Sequence, residues 1–204
     1  MEIRKEFSFM GTHTVRNCSS SRCKYSIHSH LYIVEVFISS PGEVEIDDSI
    51  LDNGQMVYDF GLTKTSFKEF VSSFNDTYAI WNKEPESFKD GVKKVTSRWV
   101  ELPFSPSAES LSLMFLKVFN KILSNTITQN GEKNIFVSRV KVHETRTGYA
   151  EATEKDIWTK EYKGIDVNDM NYSSSILFSK EFKDVVFNNK GQFINEKPTI
   201  QIEI

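Results

Sequence analysis

The chain has 204 residues, and its 25 lysines and arginines face 28 aspartates and glutamates, which gives a formal net charge of -3 at pH 7. This length suits one domain, or one domain with appendages. Without a basic surplus, nucleic acid is not the expected partner. No apolar run reaches the roughly 20 residues of a spanning helix, and the first six residues are charged instead of signal-like, so we expect no membrane contact and a cytoplasmic location.

The first half of the chain predicts two strands and one helix. Residues 3–9 alternate charged and apolar side chains, and residues 31–38 are β-branched and aromatic, so both segments predict strands. The polar residues 42–54 predict a hairpin-like connection with a turn at Asn53-Gly54. Apolar residues spaced by three and four between Phe67 and Phe74 then predict an amphipathic helix with a buried phenylalanine face.

The second half predicts an insertion and a second helix. The charged residues at about 83–101 indicate an inserted segment that can contain a short helix. Ser105 followed by Pro106 predicts an N-cap and the first position of an amphipathic helix that continues through residues 111–122.

A further strand and a long tail complete the predicted fold. Residues 135–144 have strand character, and strict alternation would place the following residues on one face: Phe136, Ser138, Val140, Val142 and Glu144. Residues 1–150 then form one α+β domain, in which both helices cover one face of an antiparallel sheet. Residues 151–204 form a strand-rich extension, with strands at 176–178 and 199–204, that belongs to the same domain or to an oligomer contact.

Three of the four histidines suggest a metal site. His28 and His30 are separated by one residue just before a predicted strand, so on extended chain both imidazoles point the same way and one ion can receive both nitrogens. His13 supplies a third ligand if the first two strands are neighbours. Three ligands leave one position open, as in catalytic zinc sites. From the spacing alone, a surface or turn feature explains the pair equally well.

The two cysteines allow two interpretations. Cys18 and Cys23 are close enough in sequence to form one small loop disulfide. Without a secretory signal, free thiols are the expected state, and one of them is then available for chemistry.

Five short segments, taken in order, resemble motifs of the family of 6-pyruvoyl-tetrahydropterin and 6-carboxytetrahydropterin synthases. The segments are residues 7–13 (FSFMGTH), Cys23 with residues 28–30 (HSH), residues 54–60 (GQMVYDF), residues 106–109 (PSAE) and residues 144–148 (ETRTG). They are similar to the family's FSAAH, Cys then HGH, GMVxDF, PTAE and ETPTS, with Gln55 as an added residue. The resemblance runs from about Phe7 to Tyr149. It implies the tunnelling fold, with a four-stranded antiparallel sheet and two helices, in ring-like homo-oligomers that are usually hexamers built as dimers of trimers.

The resemblance also implies a zinc enzyme. His13, His28 and His30 correspond to the zinc ligands, and Cys23 corresponds to the thiol that moves a proton of the substrate side chain. The implied substrate is the small molecule 7,8-dihydroneopterin triphosphate, from which triphosphate leaves. Cys18 is the competitor for the role of Cys23, although it fits the family spacing less well.

Two further residues match positions that hold the pterin. Glu144 corresponds to the glutamate that accepts hydrogen bonds from the pterin ring, a task suited to the two parallel oxygens of a carboxylate. Ser107 corresponds to a threonine that contacts the pterin. Without the resemblance, Glu144 is explained as an exposed charge at a strand end, and Ser107 as a helix-start residue.

One motif departs from the family. The segment LDH, whose aspartate and histidine activate the cysteine, corresponds here to residues 74–78 (FNDTY), and no histidine remains in either possible alignment. Asp76 is the remaining candidate for the base. The expected function is a zinc-dependent lyase like 6-carboxytetrahydropterin synthase in 7-deazaguanine (queuosine) or pterin biosynthesis. The alternative is a catalytically altered or non-catalytic protein that binds zinc and a pterin.

Overall fold

The computed structural model describes residues 1–40, 56–61, 63–132, 134–157 and 165–195. The predicted connection at residues 42–54 and the predicted strand at residues 199–204 therefore lie outside the described residues.

Nine strands form two sheets in the described part of the chain. Their bounds are β1 Glu2–His13, β2 His28–Ser39, β3 Thr77–Trp81, β4 Trp99–Leu102, β5 Thr126–Thr128, β6 Phe136–His143, β7 Tyr149–Thr153, β8 Asn171–Tyr172 and β9 Phe193–Asn195. Seven of these strands form one sheet in the order β7-β6-β2-β1-β3-β4-β8, and β5 pairs with β9 in a second sheet.

The large sheet contains the predicted four-stranded antiparallel unit and continues beyond it. Strands β7, β6, β2 and β1 pair antiparallel in that order. The sheet then extends on the β1 side, where β3 pairs in parallel with residues 11–13 and is followed by β4 and β8. Strand β3 precedes the predicted insertion, β4 lies at its end and β8 belongs to the extension, so all three lie beyond the four strands that the resemblance implies.

Six helices accompany the sheets among the described residues. Their bounds are α1 Ser21–Tyr25, α2 Lys68–Ser72, α3 Glu86–Val95, α4 Ala108–Ser124, α5 Glu154–Ile157 and α6 Lys180–Phe182. A π-helical turn, Thr63–Phe67, leads into α2, and a second π-helical turn, Lys183–Phe187, follows α6. None of the helices that the structure describes has the length and apolarity needed to span a bilayer.

The main helices α2 and α4 pack on the same face of the sheet, as predicted. The ring of Phe9 in β1 lies 5.7 Å from the ring of Phe74, just past α2, and 6.0 Å from that of Phe115 in α4. Phe67 stacks on Phe119 at a centroid distance of 4.3 Å. Burial of these aromatic rings removes a large apolar area from water and fixes the helices against the sheet.

The extension contributes to the same core. Phe182 is fully buried and stacks on Phe70 with centroids 6.1 Å apart. Ile176 and Phe178 are buried while Leu177 between them is 80% exposed, which is the alternation that predicted a strand there. The described residues include no strand paired with this segment. The alternation therefore reflects the burial of one side of an extended segment and not hydrogen bonding in a sheet.

Two local predictions were wrong. Helix α4 begins at Ala108 and its N-cap is Ser107, whose Oγ accepts a hydrogen bond from the Ser110 N–H at 3.4 Å, so Ser105 is not the cap. In β6 a bulge at Ser138 shifts the register, because Phe37 pairs with Arg139 but Ile38 pairs with Val137. Because of this extra residue, the inward and outward positions are exchanged on the N-terminal side of the bulge. Val137 therefore faces the core, where Phe136 and Ser138 were predicted to do so.

Candidate metal centre and active site

The hairpin of β1 and β2 brings the three predicted histidines together. The two strands are antiparallel neighbours, as predicted, and His13 pairs with His28 while Gly11 pairs with His30. Because side chains alternate along a strand, His28 and His30 point to the face that also carries Tyr32. The ring centroids of the three histidines lie between 4.6 and 5.3 Å apart.

Two backbone carbonyls orient the imidazoles. His13 Nδ1 lies 2.7 Å from the carbonyl oxygen of Pro106, just before α4, and His28 Nδ1 lies 3.0 Å from that of Ser26. A carbonyl only accepts, so each Nδ1 carries the hydrogen, and the Nε2 of a neutral ring keeps a free lone pair. A hydrogen bond from Nδ1 to a carbonyl is typical of histidines that bind metals through Nε2.

Glu144 completes the cluster at its open side. One carboxylate oxygen, Oε1, lies 3.1 Å from His13 Nε2 and 3.4 Å from His30 Nε2. The ligand atoms of His13, His28, His30 and Glu144 all lie within 4.8 Å of one another. The Glu144 side chain is 31% exposed, so solvent reaches the cluster from this side.

The arrangement fits a divalent cation. His13 Nε2 and His28 Nε2 are 3.1 Å apart. Because each neutral ring carries its hydrogen on Nδ1, neither Nε2 atom can donate a hydrogen bond to the other unless one imidazole becomes charged. Two ligand nitrogens on one tetrahedral zinc ion are about 3.3 Å apart. His30 Nε2 is buried and makes no hydrogen bond within the described residues. A cation at the centre would satisfy all three nitrogens and the carboxylate.

The charge states of these groups also suit a metal ligand set. Burial lowers the pKa of the His30 imidazole below its ordinary value, which favours the neutral ring. The adjacent His13 imidazole lowers the pKa of the Glu144 carboxyl, against the opposing effect of burial. Neutral imidazole and ionised carboxylate are the forms that coordinate a metal.

The position of Glu144 adds a second interpretation to the predicted one. The family resemblance assigns this carboxylate to the pterin ring, whereas the structure also places it within reach of the histidine nitrogens. Backbone hydrogen bonds from Glu144 and Thr145 to the carbonyl of Gly148 form the tight turn that directs its side chain to the cluster.

Cys23 lies in α1, within the connection between β1 and β2. Its backbone carbonyl accepts a hydrogen bond from the Val15 N–H at 3.0 Å, which ties α1 to the chain just beyond His13. Both cysteines are free thiols, so the small-loop disulfide does not form. Cys18 donates to the carbonyl of Ser20 at 3.3 Å. Neither sulfur belongs to the cluster of possible metal ligands.

Asp76 lies in an exposed turn between α2 and β3 and has a left-handed φ of 52°. Its N–H donates to the carbonyl of Met10 at 2.7 Å, and its carboxylate accepts from the Asn75 amide at 3.0 Å. The backbone of Cys23 is bonded to Val15, five residues along the chain from Met10. None of the described contacts joins the side chains of Asp76 and Cys23.

Ser107 is half-buried at the start of α4, immediately after the carbonyl that orients His13. That carbonyl was not among the predicted site groups, and neither was Tyr32, whose Oη lies 3.2 Å from His13 Nδ1. Burial raises the pKa of Tyr32, so its phenol stays protonated. Tyr32 is two residues after His30, and the same alternation that grouped the histidines could have identified it.

Comparisons with known proteins identify the family of this chain. Residues 2–155 match the family model described as 6-pyruvoyl tetrahydropterin synthase. Two proteins from different strains of Helicobacter pylori, each described as 6-carboxy-5,6,7,8-tetrahydropterin synthase, are 38% identical over 208 residues, covering 99% of this chain and all of each relative. A crystal structure of an uncharacterised protein from Wolinella succinogenes shares the fold, with a TM-score of 0.57 and 18% identity over 76% of this chain and 98% of that one. The chain belongs to the 6-pyruvoyl tetrahydropterin synthase family.

Proposed function

We propose that this protein is a zinc-dependent lyase that converts 7,8-dihydroneopterin triphosphate and water to 6-carboxytetrahydropterin, triphosphate and acetaldehyde. The observation that carries the proposal is the convergence of three histidine nitrogens and the Glu144 carboxylate at one half-open cluster. The full-length similarity to proteins described as 6-carboxytetrahydropterin synthases supports the choice of product. Such a product belongs to 7-deazaguanine (queuosine) or pterin biosynthesis.

In this proposal each group has one task. His13, His28 and His30 hold the zinc ion, which supplies Lewis acidity and makes neighbouring hydroxyl groups more acidic. The Cys23 thiolate moves a proton of the substrate side chain. Glu144 accepts hydrogen bonds from the pterin ring, and the Ser107 hydroxyl contacts the same ring at the start of α4.

A non-catalytic protein that binds zinc and a pterin is the second candidate. The observation that favours it is the placement of Asp76, which is held in an exposed turn and makes no described contact with Cys23. The retained thiol in α1, next to the strand that carries His13, favours the enzyme.

Incubation with 7,8-dihydroneopterin triphosphate, followed by identification of the products by mass, distinguishes the two candidates. We expect 6-carboxytetrahydropterin from the zinc-loaded parent and from a Cys18→Ser variant. Cys23→Ser should lower the rate by about a hundredfold or more, as expected for removal of a group that transfers a proton. Binding of a pterin with no product from the parent would instead support the non-catalytic candidate.

We further propose that the protein works as a homo-oligomer, most simply a hexamer built as a dimer of trimers. Residues 3–8 of β1 pair with β2 on one side, and no described strand covers their other side. An uncovered strand edge is a place where a strand of another subunit can add. Asp76 would then act as the base at a Cys23 thiol of a neighbouring subunit.

Light scattering after size exclusion should give a mass six times that of the 23.5 kDa chain. Mixing inactive Cys23→Ala and Asp76→Ala subunits should restore part of the activity, because some mixed sites would contain both intact groups. If the protein is monomeric, or if verified mixed oligomers regain no activity, Asp76 is not the base at Cys23.

A further inference from the structure

Helix α1, which carries Cys23, has little packing to fix its position. It has only five residues, and helices this short are not stable by themselves. None of its residues is buried, and the described residues provide no side-chain cap at its start. The position of the thiol therefore depends on the hydrogen bonds that tie α1 to neighbouring segments.

The side chain of Arg16 makes the most extensive of these contacts. Its Nη1 donates to the carbonyl of Lys24 at 2.8 Å, directly after Cys23. Its Nε lies 2.9 Å from both carboxylate oxygens of Glu84. Its guanidinium carbon lies 4.5 Å from the centre of the Phe88 ring, a distance suited to a cation-π contact. One planar guanidinium thus joins the backbone of α1 to two residues of the insertion.

Glu84 holds this guanidinium in one orientation. Its side chain is only 3% exposed, so the carboxylate is withdrawn from water and needs a charged partner. Its own N–H donates to the carbonyl of Trp81 at 3.0 Å, which fixes Glu84 directly after β3. Because β3 pairs with the end of β1 that carries His13, the contact relates α1 to the strand bearing the metal ligands.

We propose that Arg16 is a positioning residue, which fixes the Cys23 segment relative to the histidine cluster while Glu84 and Phe88 of the insertion hold its guanidinium. This gives part of the insertion a role at the active site. The inference about the reaction rests on the proposed lyase function, whereas the inference about the position of α1 does not.

The test uses a double variant, Arg16→Met with Glu84→Leu, in a Cys18→Ser background. Replacement of both partners by apolar residues avoids leaving one buried charge unpaired, so the fold should persist. Hydrogen exchange of the amides in residues 20–27 should rise by about tenfold, the factor expected when a hydrogen bond from a charged donor is lost. Alkylation of Cys23 by iodoacetamide should become faster, while zinc content stays at the parent value.

Lys93→Met is the matched control. Lys93 pairs with Glu101 at 2.8 Å within the insertion, and no described contact joins it to α1. This variant should leave exchange and alkylation in α1 unchanged. If the double variant does not fold, Arg16→Lys replaces it, because lysine keeps the positive charge beside Glu84 but lacks the planar fork that bonds two partners at once.

Steady-state kinetics distinguish a role of Arg16 in positioning the Cys23 thiol from a role only in the stability of the fold. For the double variant we expect kcat to fall by about tenfold or more while KM stays within about twofold of the parent, because substrate binding is kept and the thiol is misplaced. Unchanged exchange and alkylation would overturn the proposal, and so would increased exchange with an unchanged kcat. If the parent forms no product, the proposed function fails, and exchange and alkylation still decide whether Arg16 positions α1.

Discussion

Replacement of His13 by alanine should remove the bound zinc. His13 is the most buried of the three histidines, with 1% of its surface exposed, and its Nε2 lies 3.1 Å from both His28 Nε2 and Glu144 Oε1. It therefore stands at the centre of the cluster. Loss of a group that only hydrogen-bonds to a metal ligand weakens metal binding by about 10- to 100-fold, so loss of this ligand itself should weaken it by more than about a hundredfold.

The measurement is zinc content by elemental analysis after dialysis against a chelator of known affinity. The parent should retain about one zinc ion per chain, as expected for one set of three histidine ligands. His143→Ala is the matched control, because this fourth histidine lies on the opposite face of the sheet, with Nε2 2.5 Å from Glu35 Oε1. Equal zinc retention by the parent and the folded His13→Ala variant would place the metal elsewhere.

Replacement of Glu144 by glutamine should abolish measurable binding of neopterin while zinc remains. The variant keeps the shape of the side chain but replaces one accepting oxygen by an amide group that only donates. Truncation or mismatch of one partner in a buried charged hydrogen-bond pair costs about 2 to 5 kcal/mol. Calorimetric titration with neopterin measures the loss directly.

Glu151→Gln serves as the control for this change. Glu151 lies in β7, where it pairs with Lys141 at 3.2 Å, and its substitution should leave neopterin affinity unaltered. If Glu144→Gln loses zinc and keeps its affinity for neopterin, the carboxylate acts as a metal ligand and not as the pterin acceptor.

The histidine cluster was predictable because its geometry follows from strand alternation. His28 and His30 are two residues apart on one strand, so their common direction needs no knowledge of the rest of the fold. Only the approach of His13 to His28 required the assumption that the first two strands are neighbours, and the β1–β2 register confirms it. The amphipathic spacing at Phe67, Phe70 and Phe74 likewise identified a buried helix face.

Other features depend on contacts that local patterns do not encode. A bulge adds one residue to β6, and strict alternation cannot anticipate where it falls. Glu84 looks like one more surface charge within a charged stretch, yet Arg16 from another part of the chain makes its burial tolerable. The approach of Glu144 to the histidines depends on the turn that ends at Gly148.

X-ray absorption at the zinc edge tests the metal centre most directly. For the zinc-loaded protein we predict nitrogen and oxygen ligands at about 2.0 to 2.1 Å, with the outer-shell scattering of three imidazoles and no sulfur. The same spectrum is expected from a Cys23→Ser variant. A sulfur ligand at about 2.3 Å in the parent that disappears in Cys23→Ser would contradict the account, because the thiol would then be a ligand and not the free group that moves the proton.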